Sequence, residues 1–557
     1  EIKIRIVSRL MFDSKRYSGV SRHKILIGVL CLLTLCVWAR HTPDNPPIVV
    51  KKTPIKTAVD DPQKVYLEYA NELQFDKDIH PDFQILRGDV RFRRGGMYMF
   101  CDSAYFYEKT NSLDAFGNVR MEQGDTLFVY SDVMFYDGIV QVARLRYNVR
   151  MENRDVVLFT DSLNYDMQPN IGYYFDGGKI VDTENELSSI YGQYSPDTKQ
   201  AVFNFDVQLV NEEYTLYSDT LEYNTNTKIA DIIGPSVMVS DSNVIYSKLG
   251  WYDTHNNTSM LFDRSIIVSK SQQLTGDTIF YNRAEGFGEV FGNMILNDTT
   301  RRVTMEGNYG FYDEIKEASM ATDSARVIDY SQPDTFYLHA DTLRSSVLLD
   351  STRLIRAYYG TRFFRNDIQG VCDSMVYKTK DSAVYMFKNP ILWNLDYQIF
   401  GDTIKVYMND STVRWAHVPA FAFATQQKDT AFFDQLSGKD LKAFFKEGRL
   451  DKVDVSGNVR TIFYPQERDS TFTGLNYAES SFLTMYLKDQ KMDKLIMYNK
   501  VDGSLTPIPK ITPAQLYLPD FHWYEEIRPR DPADIFRKII RKKSEIPKKK
   551  RRFSNEM

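Results

Sequence analysis

The sequence predicts an all-β protein, an elongated solenoid of bent antiparallel strands whose repeat is about 29 residues long. Three observations predict this class. A short motif recurs at a fixed interval, apolar and polar residues alternate around a central aspartate, and Gly-Asn or Gly-Asp pairs separate the copies. A fixed period of this size is typical of stacked supersecondary units, and alternation with period two is typical of strands.

The motif is clearest as Leu158-Phe-Thr-Asp-Ser-Leu-Asn-Tyr165. It returns at Leu216–Tyr223 and Leu274–Tyr281, so that its aspartates lie 58 residues apart each time. Degenerate copies at 187–194 and 245–252 lie halfway between, which sets the unit at 29 residues. Weaker copies extend the repeat in both directions and place these residues at the position of the aspartate: Asp102, Asp132, Asn308, Asp341, Asp373 and Asp402.

The alternation changes phase at each aspartate. Apolar side chains stand three residues before it and two and four residues after it, as Leu216, Leu221 and Tyr223 do around Asp219. Inward positions are therefore odd before the aspartate and even after it. A bulge or sharp bend produces such a shift while one face stays inward on both arms of the strand. We predict bent strands that form a V in cross-section, with an apolar interior.

Glycine-containing pairs mark the other half of each unit. They begin at Gly88, Gly117, Gly177, Gly234, Gly292 and Gly457. Such pairs are typical of the tight turns that join antiparallel strands. We therefore predict that turns at these glycines connect the strands.

The composition suits a large ordered β protein. Of the 557 residues, 43% are hydrophobic and 14% are aromatic, which is far from the composition of a disordered chain. The net charge of −5 gives no reason to expect a nucleic-acid partner.

Residues 1–40 are predicted to direct export. Basic residues precede an apolar run from Ile25 to Ala39, which is shorter than the roughly 20 residues that span a bilayer. Val37-Trp-Ala39 ends in the small residue of a signal-peptidase site. A cleaved signal peptide is the favoured interpretation, and an uncleaved N-terminal membrane anchor is the alternative. Residues 41–65, where Pro and Lys are frequent, are predicted to be a linker.

The repeat domain is predicted to span residues 66–500. It contains two cysteines, Cys101 and Cys372, at the same position of two distant repeats. Neighbouring strands lie ~4.8 Å apart, so this separation is far beyond the reach of a disulfide. Both cysteines are predicted to be small buried side chains.

Residues 501–557 are predicted to be a C-terminal tail that is rich in Pro and basic at its end. Its prolines interrupt strands, and 531–540 is predicted to be a short helix with Pro in its first turn. The basic run Lys548–Arg552 has two interpretations. A solvated tail is favoured, and contact with anionic lipid headgroups is the alternative.

The sequence contains no arrangement typical of catalysis. A calcium site needs several oxygens from one loop, whereas each repeat offers one aspartate beside Ser or Thr. The aspartates are therefore predicted to accept hydrogen bonds at the bend, with a calcium ladder as the alternative. The seven histidines lack metal-ligand spacing, and no phosphate loop, nucleophile elbow or CxxC motif is present. We predict no catalytic residues, no metal, no cofactor and no enzymatic activity.

Two stretches resemble a known family. The segment Cys101-Asp-Ser-Ala-Tyr-Phe-Tyr107 and the turn Gly117-Asn-Val119 resemble the OstA-like (organic solvent tolerance) domain of lipopolysaccharide-transport proteins. The later stretches 433–439, 453–459 and 521–529 are similar to the long OstA-like proteins of Bacteroidetes. The likeness covers most of residues 66–536.

The resemblance implies a β-jellyroll, or β-taco, whose groove shields the acyl chains of lipid A. It implies a periplasmic bridge that carries lipopolysaccharide and contributes to outer-membrane assembly. Its partners would be lipopolysaccharide and the inner- and outer-membrane lipopolysaccharide-transport proteins. The implied location is the periplasm, with anchorage at the N-terminus or association with the outer membrane as alternatives.

The pattern alone leaves two interpretations of the interior, a sealed dry core and an open V that holds a long lipid. The resemblance favours the groove. The residues expected to line it are Met99, Ala104, Phe106, Val129, Met134, Tyr136, Leu158, Leu163, Tyr165, Leu216, Leu221, Tyr223, Leu274, Ile279, Tyr281, Leu338, Leu343, Met375, Tyr377, Ile399 and Ile404. Two alternative functions stay open: a closed envelope or surface β-solenoid that binds protein or glycan, and a β-solenoid enzyme whose paired carboxylates act on a polysaccharide.

Overall fold

A computed structural model describes residues 61–409, 412–467, 471–488 and 491–539. They belong to one compact unit, residues 60–557. The predicted signal peptide or anchor, most of the predicted linker and the basic end of the tail lie outside the described residues and stay predictions.

The described residues form 42 β-strands and four single-turn 3₁₀ segments, with no α-helix among them. The predicted all-β class is confirmed. Within this part of the chain, no helix is long and apolar enough to cross a membrane. The 3₁₀ segments are Ile508–Lys510, Pro513–Gln515, Glu525–Ile527 and Asp534–Phe536.

The strands are numbered in chain order. The first fourteen are β1 (Val65–Tyr69), β2 (Glu72–Gln74), β3 (Gln84–Arg94), β4 (Met97–Tyr107), β5 (Ser112–Gln123), β6 (Leu127–Asp137), β7 (Val142–Asn153), β8 (Val156–Asp166), β9 (Ile171–Tyr174), β10 (Gly178–Val181), β11 (Glu186–Ser189), β12 (Tyr191–Tyr194), β13 (Gln200–Val210) and β14 (Tyr214–Asn224). The next fourteen are β15 (Ile229–Ile232), β16 (Ser236–Ser240), β17 (Asn243–Ser247), β18 (Leu249–Asp253), β19 (Thr258–Phe262), β20 (Ile266–Ser269), β21 (Gln272–Thr275), β22 (Thr278–Asn282), β23 (Phe287–Asp298), β24 (Val303–Asp313), β25 (Ala318–Thr322), β26 (Arg326–Asp329), β27 (Phe336–His339) and β28 (Thr342–Val347). The last fourteen are β29 (Arg353–Arg365), β30 (Ile368–Lys378), β31 (Ala383–Phe387), β32 (Ile391–Asn394), β33 (Tyr397–Gly401), β34 (Thr403–Asn409), β35 (Thr412–Val418), β36 (Ala422–Gln427), β37 (Phe433–Gly438), β38 (Asp440–Lys446), β39 (Arg449–Phe463), β40 (Gly474–Lys488), β41 (Lys491–Tyr498) and β42 (Asp502–Pro507).

Each long strand bends once, either at its repeat aspartate or at the point opposite the aspartate of a neighbouring strand. In β4, the residues on either side of Asp102 pair with the two separate halves of β5. We call the half that precedes the aspartate arm 1 and the half that follows it arm 2. Neighbouring antiparallel strands add their halves to the same two arms. Further along the chain the halves become separate strands, so that β14 pairs with β15 through arm 2 and with β16 through arm 1.

The predicted phase shift at the aspartate is confirmed. In β4, Met97, Met99 and Cys101 are buried before Asp102, and Ala104 and Phe106 are buried after it. β6 has the same pattern around its own aspartate. Side chains from both arms therefore face one interior, as the V-shaped cross-section requires.

The predicted turns are wrong at Gly88, Gly117, Gly292 and Gly457, which lie inside strands, whereas Gly177 and Gly234 do lie between separate strands. Gly117-Asn118 lies inside β5, and Gly292-Asn293 lies inside β23. Both residues of each pair have positive φ, with 76° and 44° at the first pair and 80° and 47° at the second. The register of the ladder slips at these points. Each pair is a two-residue bulge that turns the corner opposite an aspartate.

The corner explains why the pair contains Gly and Asn. Asn118 donates its amide to Asp102 at 2.8 Å, and Asn293 donates to Asp277 at 2.7 Å. A Cβ on Gly292 would lie 2.7 Å from an oxygen of Asp277, so a side chain has no room there. Residues that readily adopt positive φ, such as Gly and Asn, occur both in hairpin turns and in bulges. The local sequence therefore does not distinguish a turn from a bulge. The interpretation of the aspartates as hydrogen-bond acceptors at the bend is confirmed at both corners.

Replacing Gly276 by Leu is expected to cost roughly 1–3 kcal/mol of unfolding free energy, because it overpacks the inside of a corner. A Cβ at Gly276 would lie 2.0 Å from a methyl group of Val290. The matched control is Glu222→Leu on the outer face of β14, where little change is expected. Chemical denaturation of both variants measures the difference, and equal losses would mean that the inner and outer faces are assigned wrongly.

The C-terminal segment adds to the fold instead of leaving it. β42 pairs with β40, and residues 508–539, which we call the strap, follow it. Buried side chains of the strap include Leu518, Tyr524 and Ile527. The stretch predicted as a short helix contains a single 3₁₀ turn, Asp534–Phe536. The strap runs back along the outer face of arm 1 in the C-terminal repeats.

Candidate functional site

The candidate site is the interior between the two arms. Nineteen of the 21 residues predicted to line it are buried members of one hydrophobic cluster. That cluster extends from Val65 to Leu487. The other two predicted residues, Tyr377 and Ile399, are half-buried. The period-two pattern thus brings together side chains from repeats that are far apart in the sequence.

The interior is tightly packed through the first half of the described chain. Leu163, Tyr165, Leu221 and Tyr223 each have 0% of their surface exposed. Burial raises the pKa of the Tyr165 hydroxyl, which is hydrogen-bonded to Asn170. These side chains have no contact with solvent in this structure.

Two rims border the interior. The loops at the tips of arm 1 form the arm 1 rim, and the loops at the tips of arm 2 form the arm 2 rim. In the first half of the described chain, polar side chains of one rim bond to the other and close the mouth between them. We call this set of contacts the seam. It was not predicted from the sequence.

The seam is densest around Asp182 and Asn185 of the arm 1 rim. The hydroxyl of Tyr223 donates to Asp182 at 2.7 Å, and the ammonium of Lys228 lies 2.8 Å from the same carboxylate oxygen. The amide of Asn185 donates to Tyr223 at 2.8 Å and to Thr254 at 3.0 Å. Burial and the nearby Asp182 raise the pKa of Tyr223. These contacts hold polar groups directly over the apolar interior.

Similar contacts continue along both rims. Arg283 of the arm 2 rim lies 2.9 Å from the carboxylate of Glu213 and donates to its carbonyl at 3.1 Å. The same guanidinium lies over the ring of Tyr214. Further pairs across the mouth are Arg94–Gln141, Asn153–Lys199, Glu184–His255, Asn243–Tyr281 and Ser269–Glu314. We call residues 65–314, where the seam joins the rims, the closed section.

A small cavity lies where the closed section ends. Its volume is about 20 Å³, and its lining includes Leu274, Tyr281, Leu296 and Glu314. This is room for about one water molecule. Burial raises the pKa of Tyr281 to about 12. The cavity is a local gap in the packing of the interior.

Beyond this point the interior is partly exposed. The half-buried inward residues of arm 1 include Phe336, Ile368, Leu392, Ile399 and Ala424. Those of arm 2 include Tyr377, Val384, Met408, Phe445 and Leu450. Residues nearer the corner, such as Met375 and Ile404, are buried as in the closed section. We call residues 336–450 the open section, because its mouth is accessible.

The outer face of arm 1 is covered in the open section. Val371, Ile391, Trp393, Phe400 and Phe423 point outward and are buried in a second hydrophobic cluster with the strap. In this arm the outer face is thus buried, while several inner residues, such as Ile368 and Ile399, are only half-buried. The strap therefore shields the outward apolar side chains of these strands from solvent.

The site consists of apolar side chains and has no cluster of reactive groups among the described residues. Among the described residues, no group of three or more His, Cys, Asp or Glu side chains is placed to hold a metal ion. Cys101 and Cys372 are buried, as predicted. Burial raises the pKa of the Cys101 thiol to about 12, so it is protonated at neutral pH. The arrangement offers an apolar interior bordered by polar rims.

Sequence reasoning missed the rims and the strap. One signal for the strap was available, because Gln369, Gln398 and Gln435 stand at the same outward position of three repeats. Each of them bonds to the strap. The seam gave no comparable signal, since its partners are about 40 to 70 residues apart and follow no motif.

Comparison with known proteins gives one family. Residues 62–219 and 215–287 match the family model described as OstA-like protein. The matched residues cover the N-terminal part of the described chain and most of the closed section. No curated protein matches the chain.

Proposed function

Because residues 62–287 make this chain a member of the OstA-like protein family, we propose that it is a periplasmic bridge that transports lipopolysaccharide. The interior between the arms shields lipid A acyl chains from water, and the chain contributes in this way to outer-membrane assembly. Proteins of the inner and outer membranes deliver and receive the lipid. The predicted lining residues, including Leu163, Leu221 and Ile404, form the apolar track.

One observation carries the proposal: a single hydrophobic interior runs from Val65 to Leu487 and is accessible along the open section. Burying acyl chains in such an interior is favourable by about 0.8 kcal/mol for each CH₂ group. A track built from similar repeats offers similar free energy at each step, so that a lipid can move along it. Direction then has to come from the partner proteins.

Transport through the closed section requires the two rims to separate first. The apolar interior of this section is filled by its own side chains, so a lipid can pass only if the rims separate. The rims are joined by polar contacts, each worth about 0.5–1.5 kcal/mol. Water satisfies these groups when the mouth opens, whereas a rim joined by apolar packing would resist opening more strongly.

The packing of the closed section favours a second candidate function. A sealed interior is what a closed envelope β-solenoid would have, with binding of protein or glycan on its outer surface. In that case the open section would be a local feature and the chain would carry no lipid.

Depletion of the protein in its own cells tests the proposal. We expect newly made lipopolysaccharide to stop reaching the cell surface and to accumulate at the inner membrane. Pulse labelling followed by separation of the two membranes measures this accumulation. Depleted cells that export lipopolysaccharide at the normal rate would contradict the transport function and favour the closed envelope solenoid.

A further inference from the structure

We propose that acyl chains of lipid A bind the resting protein in the open section, with the phosphates of the lipid on the arm 2 rim, while the closed section holds no lipid. This inference rests on the proposed function and deepens it. It names the part of the interior that takes the ligand and the surface that recognises the headgroup.

The first step is the difference in accessibility between equivalent positions. Ile399 stands three residues before Asp402, as Leu216 stands three residues before Asp219. Leu216 is fully buried, whereas Ile399 is half-buried. Tyr377 and Tyr165 are related in the same way, four residues after their aspartates. At Ile399 and Tyr377 the open section therefore has accessible side chains where the closed section has sealed ones, whereas the equivalent Leu338, Leu436 and Val406 of the open section are buried.

The end of the sheet does not explain this exposure. Ile368, Leu392 and Ile399 lie within the stack, and many strands follow them before the last strand, β42. Met375, which is nearer the corner, is buried, and so is Phe363, which stands level with Leu392 and Ile399. The accessible side chains lie on the adjacent strands β30, β32 and β33, so they form one continuous strip of a groove.

The second step is charge. In the arm 2 rim of the closed section, the loops from 107–112 to 313–318 carry nine acidic and five basic residues. In the open section the three fully described loops, 347–353, 378–383 and 446–449, carry three acidic and five basic residues. The net charge of the arm 2 rim loops thus changes from negative in the closed section to positive in the open section. An apolar groove beside a basic rim is complementary to an acylated lipid that carries phosphate groups.

Lys446 and Arg449 are the best-placed cations for this role. They stand exposed at the loop between β38 and β39, beside the half-buried Phe445 and Leu450. Two other cations of this rim are already paired, since Lys380 lies 3.0 Å from Asp350 and Arg353 lies 2.6 Å from Glu317.

Site-specific photo-crosslinking in cells tests the proposal. A crosslinking amino acid at position 399 is expected to capture lipopolysaccharide, and one at position 392 gives an independent second site. Matched positions 163 and 221 of the closed section are expected to capture far less, because lipid passes them only while the rims are apart, and the outward position 222 is expected to capture none. The mass of the adduct identifies the lipid. Capture at 221 equal to that at 399, or an adduct with the mass of a phospholipid, would overturn the inference.

Charge reversal tests the rim separately. Lys446→Glu and Arg449→Glu are each expected to lower capture at position 399 about fivefold, since one Lys or Arg beside an anionic lipid surface contributes on the order of 1 kcal/mol. The control is Lys109→Glu in the closed section, which should leave capture unchanged. If neither reversal lowers capture, the headgroup does not lie on this rim and that part of the inference is wrong.

The depletion and crosslinking experiments distinguish a failure of the transport function from a failure of this inference. If depletion blocks export and no position in the open section captures lipid, the transport function stands and this inference is wrong. If depletion leaves export unchanged, the transport function fails whatever the crosslinks show.

Discussion

Replacing Leu221 by Asp is expected to unfold the repeats around it, at a cost of about 4 kcal/mol or more. Leu221 is fully buried and pairs with Phe203 on one side and with Ile232 on the other, both of them buried as well. The substitution removes a packed side chain and places a carboxylate where neither water nor a cation can reach it. Neighbouring repeats limit how far the damage spreads, because each repeat contacts only its neighbours.

The matched variant is Ile399→Asp in the open section. Ile399 occupies an inward position but is half-buried, and its strand neighbours Leu392 and Ala424 are half-buried too. Water can hydrate the carboxylate at the mouth, so we expect less than half of the loss seen at Leu221. Thermal denaturation and hydrogen exchange of β13–β15 and β32–β36 measure the two effects.

The comparison also tests the division of the interior. Equal, small losses at both sites would mean that the interior of the closed section is accessible to water, contrary to the seam. Equal, large losses would mean that the open section is sealed. The division predicts a large loss at Leu221, a small loss at Ile399 and impaired transport for Ile399→Asp while the protein stays folded.

The sequence predicts much of this fold because period-two alternation is a local property. Leu158, Leu163 and Tyr165 reveal the inward face without any knowledge of their partners, and the phase shift at Asp161 reveals the bend. Once the repeat is recognised, each copy gives the same answer. The residues of the core could therefore be predicted, including 19 buried members of the expected lining.

The errors and omissions have a common physical cause, which is that they depend on contacts between distant residues. Gly117-Asn118 adopts the same left-handed conformation in a hairpin turn as in a bulge, and only its pairing with Asp102 distinguishes the two. The bond from Asn185 to Thr254 joins residues 69 positions apart. Whether a mouth is open depends on many such contacts, so alternation alone does not determine it.

The burial of the strap also depends on contacts between distant residues, so the sequence alone does not predict it. Its prolines correctly indicate that regular strands end, but they do not show that the segment is solvated. Leu518, Tyr524 and Ile527 are too few and too irregularly spaced to form a periodic pattern. They are buried because outward apolar residues of distant repeats, such as Phe400 and Phe423, form a surface that receives them.

Truncating Trp393 to Ala is expected to cost about 3–5 kcal/mol and to release the strap. Trp393 is fully buried beneath the strap, and its indole donates to Gln398 at 3.2 Å. Gln398 in turn donates to the carbonyl of His522 at 2.7 Å and accepts from the amide of Tyr524 at 2.8 Å. Loss of the indole leaves a void and removes the bond that orients this glutamine. We expect faster hydrogen exchange and protease cleavage in 516–528.

Trp415→Ala provides the control for this last variant. Trp415 lies on the outer face of arm 2, where it is half-buried and stacks on Tyr407 with ring centroids 4.3 Å apart. Its truncation leaves no closed void, so we expect a smaller loss of stability and no change in the strap. Arm 1 of the open section has half-buried inner residues such as Ile399, and its outer face is buried in the second hydrophobic cluster, to which the strap contributes. If Trp393→Ala left the strap in place and cost no more than Trp415→Ala, the strap would not be what stabilises these strands while their groove is open.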